Sequence, residues 1–132
     1  AEAVAQVGQD ELTLRMIIRN VDKAVLEASE DVTILSTGAA GFEVEAPRYR
    51  ALTRLLQNWA AEGGTFVEIA GNDDILFTVL TQESSMDGAI FSSLRQGFGD
   101  RRHMVMTKVV NLAETLRAMQ DSGQHVEHIH DY

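Results

Sequence analysis

Three of the four histidines cluster near the end of the chain, at positions 125, 128 and 130. If this segment is a strand, its two-residue period puts His128 and His130 on one face, the spacing of a two-histidine metal clamp. A stable metal site also needs a third or fourth ligand with outer-shell support, and a chain terminus is a mobile place to build one. We therefore predict no bound metal, and expect the histidines on a solvated edge strand or in a subunit contact.

Two small-residue loops could approach a ligand closely. Residues 36–41 (STGAAG) and residues 71–74 (GNDD) each follow an apolar stretch. At the carboxyl ends of parallel strands both loops would gather into an anion-binding crevice, with Asp73 as general base and Arg101 or Arg102 as anion clamp. The candidate ligand-binding residues of this crevice are Ser36, Thr37, Gly38, Gly41, Gly71, Asn72, Asp73 and Arg101.

The charged parts of that crevice also have a purely structural interpretation. Asp73 or Asp74 could cap a helix that begins at residue 75, instead of acting as a base or a Mg²⁺ ligand. The arginines at positions 48, 50 and 54, and those at 101 and 102, could be solvated side chains on helix surfaces instead of a site for a small anion.

Catalytic signatures are missing from the sequence. The chain has no cysteine, which excludes thiol nucleophiles, thiolate zinc sites and iron–sulfur ligation. No serine stands in a Gly-x-Ser-x-Gly elbow, and the fragment Gly97-Phe98-Gly99 is not part of a phosphate-binding glycine motif. We assign no catalytic residue and no cofactor.

The elements that would position these residues alternate along the chain. Apolar stripes predict helices over residues 10–29, 52–59 and 111–122, the second opened by Pro47 and the last two stopped by Gly63-Gly64 and by Gly123. Apolar and β-branched runs predict strands at residues 3–7, 32–35, 65–70, 103–110 and 125–132. A short helix is expected at residues 75–80, and one short helix with a mobile, functional loop within residues 82–102.

The alternation of strands and helices predicts the fold class. At 132 residues, with 45% hydrophobic residues, the chain suits a single α/β domain spanning residues 1–132, with no internal repeat. We expect a mainly parallel sheet flanked by helices, in a three-layer sandwich. A central strand would not ordinarily carry Glu68, so we predict that its strand lies near a sheet edge or that Glu68 pairs across an interface.

The charge balance restricts the partners. The chain has 11 Lys and Arg against 20 Asp and Glu, a net charge of −9, which argues against a nucleic-acid partner. No uninterrupted apolar run approaches the ~18 residues of a membrane span, and residues 1–10 lack the pattern of a signal peptide. We expect a cytoplasmic protein with neither nucleic acid nor membrane as partner.

Two segments resemble a known family. Residues 31–38 (DVTILSTG) and 64–71 (GTFVEIAG) resemble the strand and glycine-loop segments of the DsrE/DsrF-like small sulfur-relay proteins. The resemblance covers residues 12–72 and implies a flavodoxin-like or DsrE-like subunit that assembles into small rings. That family carries a cysteine where this chain has Ala70, so sulfur transfer is excluded. Residues 111–132 are more distantly similar to the helix, glycine and strand of ACT-type regulatory domains.

Strong core signals and weak catalytic ones favour a non-enzymatic oligomeric module that binds a protein partner or a small ligand, and we expect a homo-oligomer. The alternative is a small cytoplasmic enzyme with an anion-binding crevice at residues 38–41 and 71–74. Convergence of Asp73 and an arginine in one pocket would favour the enzyme, whereas an apolar patch across residues 82–98 would favour the binding module.

Overall fold

Strands dominate the computed structural model, which describes residues 12–130. The predicted strand at residues 3–7 lies outside the described residues, as do positions 131 and 132. The described elements are, in chain order, β1 (Thr13–Arg19), α1 (Lys23–Glu27), β2 (Thr33–Gly38), β3 (Gly41–Pro47), α2 (Arg50–Ala61), β4 (Thr65–Ile69), β5 (Asp74–Thr81), β6 (Ala89–Leu94), β7 (Arg101–Lys108), α3 (Val109–Asp121) and β8 (His125–His130).

The strands form two four-stranded antiparallel sheets. Sheet A has the order β2-β3-β1-β4 and sheet B the order β6-β7-β5-β8. Every described pairing is antiparallel. The predicted mainly parallel sheet flanked by helices is therefore wrong, and so is the flavodoxin-like or DsrE-like sandwich that the family resemblance implied. The physical reason is that β2–β3 and β6–β7 are hairpins, and short hairpin loops join antiparallel strands only.

The two sheets repeat one plan. In sheet A, which holds the strands of the first half of the chain, β1 lies between β3 and β4, and β2 is at the outer edge. In sheet B, which holds those of the second half, β5 likewise lies between β7 and β8, and β6 is at the outer edge. The first half runs β-α-β-β-α-β, the order of the split βαβ motif. The second half has the same order except that residues 82–88, a series of bends and turns, replace the helix between its first two strands. The sequence shows no repeat because the halves share topology, not residues.

The first predicted helix is replaced by strand β1 and the short helix α1. Leu14, Met16 and Ile18 are buried, while Arg15 and Arg19 between and beyond them are exposed, which is the two-residue period of a strand. The apolar positions at 14, 17, 18 and 21 satisfy helical spacing equally well. Pairing with β3 and β4 decided between the two periods.

Three further predictions about local structure are wrong. The expected helix at residues 75–80 is β5, so neither aspartate caps a helix there, and Asp74 instead pairs with Lys108 at 3.2 Å. The segment at residues 82–102 holds β6 in place of a helix. Pro47 ends β3 and does not open α2, which begins at Arg50.

Helices α2 and α3 lie where their apolar stripes predict and pack against each other. Arg117 of α3 ties the helices together, since its Nη1 donates to the carbonyls of Ala60 at 3.0 Å and Gly64 at 3.1 Å. Gly64 must lack a side chain, because a Cβ there would stand 2.9 Å from the Trp59 carbonyl oxygen. One hydrophobic cluster joins both helices to the inner faces of both sheets.

Each long helix also reaches the sheet of the other half. α3 packs against β4, and α2 against β8, where the backbone N–H of Ile129 donates to Oγ1 of Thr53 at 3.0 Å. β4 is an edge strand, which confirms the position predicted from Glu68, and β8 is the edge strand expected from the histidine segment. The other two edges belong to the hairpin strands β2 and β6.

Candidate functional site

The first predicted loop is a hairpin turn against β1. Ser36, Thr37 and Gly38 end β2, and Gly38 pairs with Gly41 at the start of β3. A Cβ at Gly41 would come within 2.4 Å of the Ile18 carbonyl oxygen, so this glycine permits close packing of the hairpin. The loop lines only a shallow cavity of about 190 Å³.

The second predicted loop lies at the opposite end of sheet A. Gly71 and Asn72 form the turn from β4 to β5, which is anchored where the N–H of Ala70 donates to the Arg15 carbonyl at 2.9 Å. The first hairpin lies beside Ile18, near the other end of the same strand. Antiparallel pairing separates the two loops because strands leave from alternate ends of the sheet.

Asp73 and Arg101 are also far apart. The Asp73 carbonyl accepts from the N–H of Val109, just beyond the end of β7, whereas Arg101 begins β7 and pairs with Thr81. The seven residue steps from Arg101 to Lys108 span roughly 23 Å at the usual rise of a strand. The candidate ligand-binding residues therefore fall into three separate places and form no common crevice.

Residues that the sequence did not single out make a short polar contact in the second half of the chain. Nδ1 of the fully buried His103 is 2.6 Å from the hydroxyl of Ser92, its cross-strand neighbour on β6. Nε2 is 2.9 Å from the Glu83 carbonyl. Since a carbonyl only accepts, Nε2 carries a proton, and in the neutral ring the serine hydroxyl then donates to Nδ1.

A hydroxyl that donates to an oriented imidazole is the first requirement of a base-activated serine. In this position the contact has a simpler consequence. It satisfies both ring nitrogens of a buried histidine, and it holds β6 and residues 82–88 onto β7. In the sequence, Ser92 and His103 stand in two separate segments. Nothing in either segment predicts that the two residues face each other, because that depends on how β6 pairs with β7.

The free edge strand β6 carries an exposed apolar surface. Ile90 is 61% exposed, Phe91 62% and Leu94 64%, and Phe98 in the following turn is 69% exposed. These four residues are called the β6 patch below. The guanidinium of Arg95 lies over the Phe98 ring at 4.0 Å from its centroid, which holds the turn beside the strand.

Two bidentate ion pairs stand beside the patch. Arg95 binds Asp100 with its Nε at 2.7 Å and Nη2 at 2.9 Å. Arg102 binds Glu127 with both nitrogens at 2.7 Å. The hydrogen bonds from Arg102, and a further one from the Thr78 hydroxyl at 3.0 Å, hold the pKa of the Glu127 carboxyl below its usual range against the opposing effect of burial.

Of the cavities that are larger than the hairpin one, two border the long helices. A cavity of about 680 Å³ opens between residues 82–88 and α3, with Glu83, Asp87 and Glu114 on its walls. A second, of about 400 Å³, lies between α2 and sheet B, with three arginines, Arg50, Arg54 and Arg95, and one carboxylate, Glu127, on its walls. The chain thus separates an acidic cavity from a basic one.

The histidine segment forms β8. His128 and His130 share one face, with ring centroids 4.4 Å apart, which confirms the predicted strand register. Between residues 12 and 130, no group of three or more His, Asp or Glu side chains is arranged to hold a metal ion. The rings of His128 and His130 instead contact each other on the edge strand β8.

Comparison with protein-family models, curated proteins and solved structures gives no match. Among the helices of residues 12–130, none is long and apolar enough to cross a membrane.

Proposed function

We propose that the chain is a non-enzymatic oligomeric module whose β6 edge pairs with the same edge of a second copy. The observation that carries this proposal is the β6 patch, four large apolar side chains that are each more than 60% exposed along one unpaired strand and its turn. In this proposal the module acts in the cytoplasm, the location expected from the sequence.

An unpaired strand edge of this composition is a site for pairing with another chain. The sequence of β6, AIFSSL, contains no charged residue, proline or glycine that would discourage such pairing. β4 and β8 have helices beside them. β2 packs against the short helix α1, and Leu35 is its one large hydrophobic side chain with substantial exposure, at 38%.

A second copy fits this edge better than an unlike partner of opposite charge. Two antiparallel β6 strands related by a two-fold axis would present the same patch to each other and extend sheet B across both copies. The chain has a net charge of −9, so two copies repel over most of their surface, whereas this strand is uncharged and is followed by Arg95. The patch exposes on the order of 500 Å² of apolar surface, the scale of functional patches on monomers.

Sedimentation velocity from about 1 to 100 µM tests the proposal, a range chosen to bracket micromolar dissociation constants. We expect the wild-type chain to form a dimer, and the double variant Phe91→Lys, Leu94→Lys to sediment as a monomer. Val110→Lys is the matched control, because Val110 is 54% exposed on α3, away from the edge strand. A wild-type monomer at every concentration, or equal dissociation by the control, would overturn the proposal.

A further inference from the structure

The basic cavity of about 400 Å³ is built from both halves of the chain. Helix α2 contributes Arg50, Thr53 and Arg54, and sheet B with its β6–β7 turn contributes Arg95 and His125. The two α2 arginines are four residues apart, so their side chains project from one face of the helix. Its size falls within the range of small-molecule sites.

The charges around this cavity do not balance. Arg95 and Arg102 each have a carboxylate partner, Asp100 and Glu127 respectively. Arg50 and Arg54 form no ion pair with any residue between positions 12 and 130. Two uncompensated guanidinium groups therefore face the cavity, although the whole chain carries a charge of −9.

A buried hydroxyl provides a second, independent observation. Thr53 is 4% exposed and lines the cavity, and its Oγ1 accepts the Ile129 N–H at 3.0 Å. The hydroxyl makes no hydrogen bond as a donor to the described part of the chain. A buried donor of this kind needs an acceptor, and the space it lines is the one bordered by the unpaired arginines.

We infer that this cavity binds a small organic phosphate monoester. Guanidinium groups bind phosphate oxygens in bidentate fashion, and two of them match the two negative charges of a phosphate monoester. The Thr53 hydroxyl would donate to a third oxygen. Leu80 and Val126 also line the cavity, so a small apolar group attached to the phosphate finds contact there. The site adjoins the proposed dimer edge only through Arg95, which lines the cavity and lies over Phe98 of the β6 patch.

Titration with phenyl phosphate, followed by calorimetry and by backbone amide NMR shifts, tests the inference. We expect one saturable site per chain, with shifts centred on Thr53, His125 and Ile129, and weaker binding of inorganic phosphate. Phenol, which lacks the phosphate, should not bind. The double variant Arg50→Ala, Arg54→Ala should weaken binding by about tenfold or more.

The matched control is Arg15→Ala, Lys23→Ala, which removes the same charge from exposed positions on β1 and α1. It should bind as the wild type does. No saturable binding of phenyl phosphate, or equal weakening in both double variants, would overturn the inference, the second result showing attraction by net charge alone. Because the titration is read per chain, the expected stoichiometry of one site per chain is the same for a monomer and for a dimer formed at the β6 edge.

Discussion

The contact between Thr53 and Ile129 gives the sharpest test of how the two halves are joined. Oγ1 of Thr53 on α2 accepts the backbone N–H of Ile129 on the edge strand β8, at 3.0 Å, and both residues are at least 96% buried. Replacing Thr53 with valine keeps the shape of the side chain but removes the acceptor. The Ile129 N–H is then left in the interior without a partner.

The expected cost follows from that burial. Leaving the buried Ile129 donor unsatisfied costs about 1–3 kcal/mol. Valine also removes the Thr53 hydroxyl proton, which has no acceptor in the described chain, so we expect the middle of that range, about 2 kcal/mol, for Thr53→Val and not its upper end. Thr53→Ser is the matched control, since it keeps the hydroxyl and loses only one buried methyl group, about 0.8 kcal/mol. The order of stability should be wild type, then serine, then valine.

Urea unfolding in phosphate-free buffer measures the three free energies, and amide hydrogen exchange measures the contact itself. Exchange at the Ile129 amide should accelerate in the valine variant beyond the change in global stability, and should follow global stability in the serine variant. If Thr53→Val were as stable as Thr53→Ser, with Ile129 equally protected, the hydrogen bond would not support the junction and this reasoning would be wrong.

Two further predictions concern the core and the ion pairs. Ile18→Ala should lower the free energy of unfolding in urea by about 2–5 kcal/mol, because Ile18 is fully buried. Ile17→Ala should cost only about 1 kcal/mol, because Ile17 points to the other face of β1 and is partly exposed. Equal losses in the two variants would contradict the assignment of a strand. Glu127→Gln should cost about 1 kcal/mol at pH 7, a modest value because Arg102 is 41% exposed. The pKa of Glu127 is lowered in the folded chain, so the stabilisation from its carboxylate is complete above about pH 5 and is lost as pH falls through that pKa. The cost should therefore shrink at pH 3, and a constant cost at both pH values would refute the ion-pair account.

Local signals were sufficient for the two long helices. The stripe at residues 52–59 ends at Gly63 and Gly64, and the stripe at residues 112–119 ends at Gly123, and both helices are observed there. The same kind of signal failed at β1, where the apolar positions fit a helix and a strand alike. Pairing with β3 determines that this segment is a strand and not a helix. The paired residues are 24 or more positions apart in the sequence, as Ile18 and Phe42 are.

The predicted crevice was wrong for the same reason, namely that it depended on pairing between distant strands. Its residues were placed together on the assumption of a parallel sheet, in which strand ends share one edge. In the antiparallel sheets, Gly41 and Gly71 lie at opposite ends of β1, and Asp73 and Arg101 at opposite ends of β7. The basic cavity was visible in the sequence only as separate arginines, at positions 50 and 54 and at position 95.

Composition and near neighbours were enough to predict the net charge of −9, the absence of thiol chemistry, the two long helices, and the strands around residues 33–38, 65–69 and 101–108. Strand direction, the repeat of one plan in two halves, the Ser92–His103 contact and the basic cavity became visible only when the chain was folded. Each of these depends on pairing between distant segments, and the free energy of such pairing resides in contacts that no local pattern encodes.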